Sequence, residues 1–177
     1  MALPVTRERM LDFLRDVPLF GDLDDLELGD LAAQFEAASL PGDAWVFREG
    51  DAGDAWYVVF DGEVEVVKEV GTDRRVIAVL GSRAAFGEMA ILDGSRRSAS
   101  VRTTRPTTAL KFPRAGFARL LAAGNLGAYK LVHQMALLLV SRQRRTTHRL
   151  AELMGLVSEG DVRDGLLPLL DQSSVAE

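Results

Sequence analysis

The hydrophobic and polar positions of this chain change their period twice. From Arg7 to Arg15 the apolar residues Met10, Leu11 and Leu14 return at helical spacing. Val17-Pro18-Leu19-Phe20 follows, and the proline stops the helix. Asp22 or Asp24 is placed to cap a second helix, and acidic residues suit its first turn. Leu26, Leu28, Leu31, Ala32 and Phe35 predict the apolar face of that helix. Pro41-Gly42 closes the section, so residues 1–42 are expected to form a helical segment.

From Ala44 the runs are short, apolar or alternating: Trp45–Phe47, Trp56–Phe60, Val64–Val67, Val76–Leu80, Ser98–Arg102 and Thr107–Phe112. Turn signals separate them, among them Glu49-Gly50, Ala52-Gly53-Asp54, Asp61-Gly62 and Gly71-Thr72-Asp73. Val64-Glu65-Val66 alternates as a half-buried strand does. Asp61-Gly62 predicts a hairpin, because glycine accepts a positive φ without a Cβ clash. Many short strands in succession predict a closed or double-sheet β architecture over residues 43–113, such as a jelly roll.

Past Pro113 the helical period returns over 114–154. Gly116–Ala123 fits a short helix ended by Gly124-Asn125, and Leu126 to about Met154 reads as one long helix. Leu131, Met135 and Leu138 form a stripe at heptad-like spacing, which Arg142 and Arg149 continue in polar form. The stripe fits packing against the chain's own β section or a dimer seam, and the pattern leaves both open. Gly155 and Gly160 break the helix, and in the tail 155–177 the run Leu166-Leu167-Pro168-Leu169-Leu170 is expected to dock as a short segment before a frayed end.

Composition narrows the function classes. A chain of 177 residues is long enough to bury a core. No run approaches the roughly 20 apolar residues of a membrane span, and the N-terminus lacks a basic region followed by an apolar one. There is no cysteine, which excludes disulfides and thiolate chemistry and favours a reducing cytoplasm. Net charge is −5, with acidic residues early and Arg142, Arg144, Arg145 and Arg149 late. Both clusters read first as solvated helix faces, so neither a membrane nor a nucleic-acid partner is expected. His133 and His148 both lie on the long helix, and no nucleophile–base arrangement stands out. The expectation is a binding protein without metal or cofactor, not an enzyme.

The segment Phe86–Val101, F-G-E-M-A-I-L-D-G-S-R-R-S-A-S-V, carries the most specific chemistry. Gly87 lets the backbone approach a ligand closely. Glu88-Met89-Ala90-Ile91-Leu92 fits a turn of helix, whose first N–H groups lack intrahelical partners. Arg97 can offer two parallel N–H bonds to phosphate oxygens, and Ser98 adds a hydroxyl. A carboxylate and a guanidinium about nine residues apart suit a phosphate joined to a ribose. A lone pair of this kind reads more simply as a surface salt bridge.

The segment resembles the phosphate-binding cassette of the cyclic nucleotide-binding domain family, which includes the catabolite activator protein and the regulatory subunits of cAMP-dependent protein kinase. Glu49–Val66, with its glycines at 50, 53 and 62, is similar to the family's adjoining strand pair, and Val17-Pro18-Leu19-Phe20 with the next helix is similar to its N-terminal segment. The likeness covers roughly residues 10–150. It implies an α+β fold: a jelly-roll β-barrel (double-stranded β-helix) with its cassette at 86–101, flanked by N-terminal helices and a long C-terminal helix. It implies that Glu88 holds the ribose 2′-hydroxyl. It also implies that Arg97 pairs with the cyclic phosphate, helped by Ser98 and by the N–H groups of Met89, Ala90 and Ala99. Gly87 shapes the entry, Val66 and Ile77 match pocket-lining positions, and Arg142 and Gln143 are candidate base contacts. Ser82-Arg83-Ala84-Ala85 departs from the glycine and acidic residues common before the cassette.

The implied function is a stand-alone, cytoplasmic, bacterial sensor of cyclic nucleotide, with cAMP preferred to cGMP. Ligand binding would move the long helix and alter a surface for an unidentified protein partner, or a homodimer seam through 126–154. The tail 155–177 offers no helix-turn-helix pattern, so no DNA-binding domain is expected. The alternative is a dimerisation or interaction module on the same fold that works without nucleotide.

Overall fold

The computed structural model describes residues 5–71 and 73–154. Helix α1, Arg7–Arg15, starts where the Thr6 hydroxyl accepts from the Arg9 N–H, and it buries Met10 and Leu14. A single tight turn, Pro18–Phe20, leads to α2, Asp25–Ala32. Asp24 is the cap: its carboxylate accepts from the N–H groups of Leu26 and Glu27, while Glu27 reaches back to the Asp24 N–H. Leu28, Leu31 and Ala32 face inward, but Leu26 is 83% exposed and is not part of the buried face. It sits in the first turn, beside the capping box, on the solvent side. The expected helical run to residue 42 ends early, because Glu36–Leu40 leaves α2 as a strand, β1.

The remaining strands are β2 Trp45–Phe47, β3 Ala55–Asp61, β4 Val64–Val70, β5 Asp73–Leu80, β6 Ala85–Phe86, β7 Ser100–Thr103 and β8 Thr107–Pro113. A short helix, α3, Met89–Leu92, interrupts them between β6 and β7. Two four-stranded antiparallel sheets result, in the orders β1-β8-β3-β6 and β2-β7-β4-β5. Their facing sides enclose Ala55, Tyr57, Val59, Val64, Phe86, Val101 and Ala109. This is the jelly roll the pattern predicted.

Strand β3 explains the continuous apolar run at 56–60. Its odd residues point into the barrel, and Trp56 and Val58 are fully buried on the opposite face. Trp56 stacks on Phe112 at 5.5 Å and meets Phe35 edge-on, also at 5.5 Å; Phe20 completes the cluster at 6.2 Å. The N-terminal segment thus closes the outer face of the β1-β8-β3-β6 sheet. A strand buried on both faces has no polar alternation to show.

Helix α4, Arg114–Ala122, follows β8 directly and buries Phe117 against Phe112. Helix α5 runs from Leu126 to Leu153. The chain divides into two compact units inside α5, the first ending at Met135 and the second beginning at Ala136. Leu131 and Met135 are fully buried within the first unit, so this half of the stripe packs within the chain. The expected breaks at Gly155 and Gly160, and the tail with its leucine run, lie outside the described residues. Among the described residues no helix is long and apolar enough to cross a membrane.

The hairpin glycine is held twice over. Gly62 has φ +107°, and a Cβ there would meet Thr107 at 2.4–2.7 Å. Gly62→Ala is expected to lower stability by about 3 kcal/mol through combined backbone strain and overlap. Gly29, inside α2 with open space around it, is the contrast. Gly29→Ala is expected to raise stability by roughly 0.5–1 kcal/mol. Urea midpoints of both variants against the parent check the opposite signs.

Candidate functional site

The cassette is built on a pairing that short-range patterns do not reveal. The segment after α3 runs antiparallel to the loop between β2 and β3, with a bridge at Ala52–Arg96. The Arg97 N–H donates to the Asp51 carbonyl, and the Arg97 carbonyl accepts from the Gly50 N–H, both at 2.9 Å. The Glu49 N–H donates to the buried Ser100 hydroxyl at 2.8 Å. An added Cβ on Gly53 would lie 2.4 Å from the Ala90 Cβ, so this loop also packs directly on α3. The backbone around Arg97 is therefore fixed before its side chain is considered.

That side chain turns inward. Arg97 is 3% exposed. Its Nη1 donates to the Gly87 carbonyl at 2.9 Å, and its Nη2 to the Ala55 carbonyl at 2.6 Å and to Asp54 Oδ1 at 3.3 Å. The Phe47 ring lies beneath the guanidinium, 4.0 Å from Cζ to centroid. Gly87 has φ +79°, and a Cβ there would come within 2.8 Å of Arg97 Nη1. Neighbouring Arg96 is exposed and donates instead to the Gly50 carbonyl at 2.8 Å. Of the two adjacent arginines, only Arg97 enters the interior.

After these contacts the buried Arg97 Nε–H still meets no acceptor among the described residues. A buried unmatched donor of this kind costs about 1–3 kcal/mol. The N–H groups of Met89, Ala90 and Ala99 likewise have no backbone acceptor among the described residues. An anion would accept from such donors.

Glu88 stands at the start of α3 with helical dihedrals, and its carboxylate does not cap the turn it opens. It is 2% exposed. Glu88 and Arg97 are both buried, so the simpler reading as a surface salt bridge does not hold. Ser98 is exposed, with its hydroxyl 3.8 Å from Met89 Sδ. Val66 packs against the barrel core. Ile77 is 54% exposed, where the β4–β5 register slips past it between Val66–Ala78 and Val67–Val76. Arg142 and Gln143 lie on α5 in the second unit, where the Gln143 amide donates to Thr147 and the Arg142 carbonyl accepts from Thr146. The structure thus brings together Gly87, Glu88, Met89, Ala90, Arg97, Ser98 and Ala99, with Val66 in the adjoining barrel.

Sequence reasoning missed Asp54, Phe47 and Lys68. Asp54 bridges Arg97 and Lys111, which its position in a turn motif did not signal. Burial pushes the nearby Tyr57 phenol up from its usual value; the Asp54 carboxylate adds to this, and Lys111 and Arg97 oppose it. Before the cassette, where glycine was missed in the sequence, Arg83 itself adopts φ +71°. Its N–H donates to the Val59 carbonyl and its guanidinium to Asp16, both at 2.8 Å, which holds a conformation unusual for a side chain with a Cβ. Among the described residues no cluster of three metal-ligating side chains occurs.

A sequence model of the cyclic nucleotide-binding domain matches residues 37–124. The chain is 32% identical over 160 residues to the cyclic AMP receptor protein of Thermus thermophilus, covering 90% of this chain and 72% of that one. It is 30% identical over 158 residues to an uncharacterized NTE family protein of Mycobacterium tuberculosis; this covers 89% of the chain but only 26% of that protein's length. A crystal structure of a cyclic nucleotide-binding domain from Methylobacillus flagellatus superposes with a TM-score of 0.72 at 30% identity, covering 86% of this chain and 85% of that one. The matched span holds the buried arginine, the buried glutamate and all but the first residue of the two sheets, and the chain belongs to the cyclic nucleotide-binding domain family.

Proposed function

We propose that this chain is a cAMP-binding regulatory domain, in which Arg97 takes the cyclic phosphate and Glu88 the ribose 2′-hydroxyl. The observation that carries this is the buried Arg97 guanidinium with its unmatched Nε–H, set beside three backbone N–H groups with no backbone acceptor among the described residues. A phosphate supplies the missing acceptors. The buried Glu88 carboxylate adds acceptor capacity for a sugar hydroxyl at the same cassette. Ser98 suits either purine nucleotide; the similarity to a cyclic AMP receptor protein supports cAMP over cGMP.

Binding would be read out through α5. The half of that helix buried in the first unit, through Leu131 and Met135, is the part the barrel can act on. A tenfold change between two arrangements needs about 1.4 kcal/mol of differential affinity, within the reach of one charge-assisted hydrogen bond.

A second reading, a dimerisation module indifferent to nucleotide, is favoured by the exposed Leu137 and Val140 on α5. Sedimentation separates the two: a constant dimer with no response to nucleotide supports the module.

Calorimetry with cAMP and cGMP is expected to show one site per chain and tighter binding of cAMP. No heat and no thermal shift at millimolar nucleotide would overturn the sensor. Arg97→Lys is expected to weaken cAMP binding about a hundredfold, since one amine cannot replace a guanidinium that also serves two carbonyls. Glu88→Gln is expected to weaken it about tenfold, for the loss of one charged acceptor. Unchanged affinity in both variants would place the site elsewhere.

A further inference from the structure

The side chain of Lys68, on β4, reaches out of its strand to the cassette. Its Nζ donates to Glu49 Oε1 at 2.6 Å and to the Ser98 carbonyl at 2.8 Å. The ladder between β4 and β7 ends at Val67–Ser100, so Ser98 lies just past the last paired residue. Where backbone pairing stops, the lysine takes over as the partner of the Ser98 carbonyl. Glu49, its other partner, belongs to the loop whose backbone already grips Arg97 and Ser100. One ammonium thus ties three segments together: β4, the β2–β3 loop and the cassette.

The consequence follows from peptide geometry. The Ser98–Ala99 peptide is trans, as are all the described peptide bonds, so its carbonyl and N–H point in opposite directions. Holding the Ser98 carbonyl toward Lys68 turns the Ala99 N–H away from Lys68 and Glu49. That N–H has no backbone acceptor among the described residues. On the other side of the segment, the Ser98 hydroxyl lies against Met89 of α3.

We propose that Lys68 is a positioning residue for the phosphate site: by fixing the Ser98–Ala99 peptide it aims the Ala99 N–H at the cyclic phosphate. The inference rests on the cAMP-binding reading above. It adds a residue that touches no ligand and that lies outside the cassette in sequence. Being 42% exposed in its side chain, Lys68 can be changed with little disturbance of the core.

The test compares the parent chain with Lys68→Met and Lys68→Arg by calorimetry with cAMP, and by the amide signals of Ala90 and Ala99 in nitrogen-15-labelled protein. Lys68→Met is expected to weaken cAMP binding about fivefold, the scale of one hydrogen bond, with a urea midpoint close to that of the parent. On saturation its Ala99 amide signal should move less than the parent's, while the Ala90 signal moves fully. Lys68→Arg should recover most of the affinity, because a guanidinium can serve the same carbonyl and carboxylate. Parent-like affinity in Lys68→Met, or equal loss of the Ala90 and Ala99 responses, overturns the positioning role and leaves the sensor intact. If the parent chain binds no cAMP, the sensor falls and the positioning role falls with it.

Discussion

Everything at this site depends on the burial of one guanidinium. Taking an ion out of water costs several kcal/mol even after the surroundings relax, so a buried arginine persists only where acceptors are already in place. Arg97 finds two of them in main-chain carbonyls, Gly87 and Ala55, and a third in Asp54. Carbonyls from two separate strand ends can meet one side chain only if the barrel holds those ends together. The Phe47 ring supplies the floor, where a cation meets the negative face of an aromatic ring. The glycine at 87 is needed twice, for its left-handed backbone and for the space the guanidinium fills.

The barrel's rigidity comes from the strand that is buried on both sides. Strand β3 joins the interior, through Tyr57 and Val59, to the aromatic layer, through Trp56. It also begins at Ala55, whose carbonyl receives Arg97. The strand that anchors the helical N-terminus to the sheet therefore also presents an acceptor to the site. Packing and recognition share one element, and a close-packed interior transmits displacement with little slack.

The loop Arg48–Asp54 has a comparable double role. Through backbone bonds it supplies the strand-like partner that the cassette lacks past β7, and through Asp54 it supplies a carboxylate to Arg97. Its close approach to α3 at Gly53 and Ala90 leaves the helical turn no room to shift toward it. The site is thus assembled from five pieces of chain: the loop, the start of β3, the end of β6, the α3 turn and the segment before β7. Glu88 and Arg97 are brought in from two of these, although only nine residues separate them.

By itself the sequence determined the elements whose signals are local. The short apolar or alternating runs marked β2, β3, β4 and β8 closely, the acidic cap candidates Asp22 and Asp24 marked the start of α2, and Asp61-Gly62 marked its hairpin. The cassette was also legible, because glycine, carboxylate and arginine occur within sixteen consecutive residues. What tertiary structure alone decided were features without a local signature. Strand β1, Glu-Ala-Ala-Ser-Leu, is small and mostly exposed, and its ladder to β8 rather than its own side chains makes it a strand. Leu26 carries an apolar side chain yet faces water, because the orientation of a short helix is set by what it packs on. The half of the α5 stripe at Leu131 and Met135 resolved as internal packing only when its neighbours were in place. Asp54, Phe47 and Lys68 serve the site from 29 to 50 positions away from Arg97 in the chain. Long-range pairing places them there, and no short-range period encodes it.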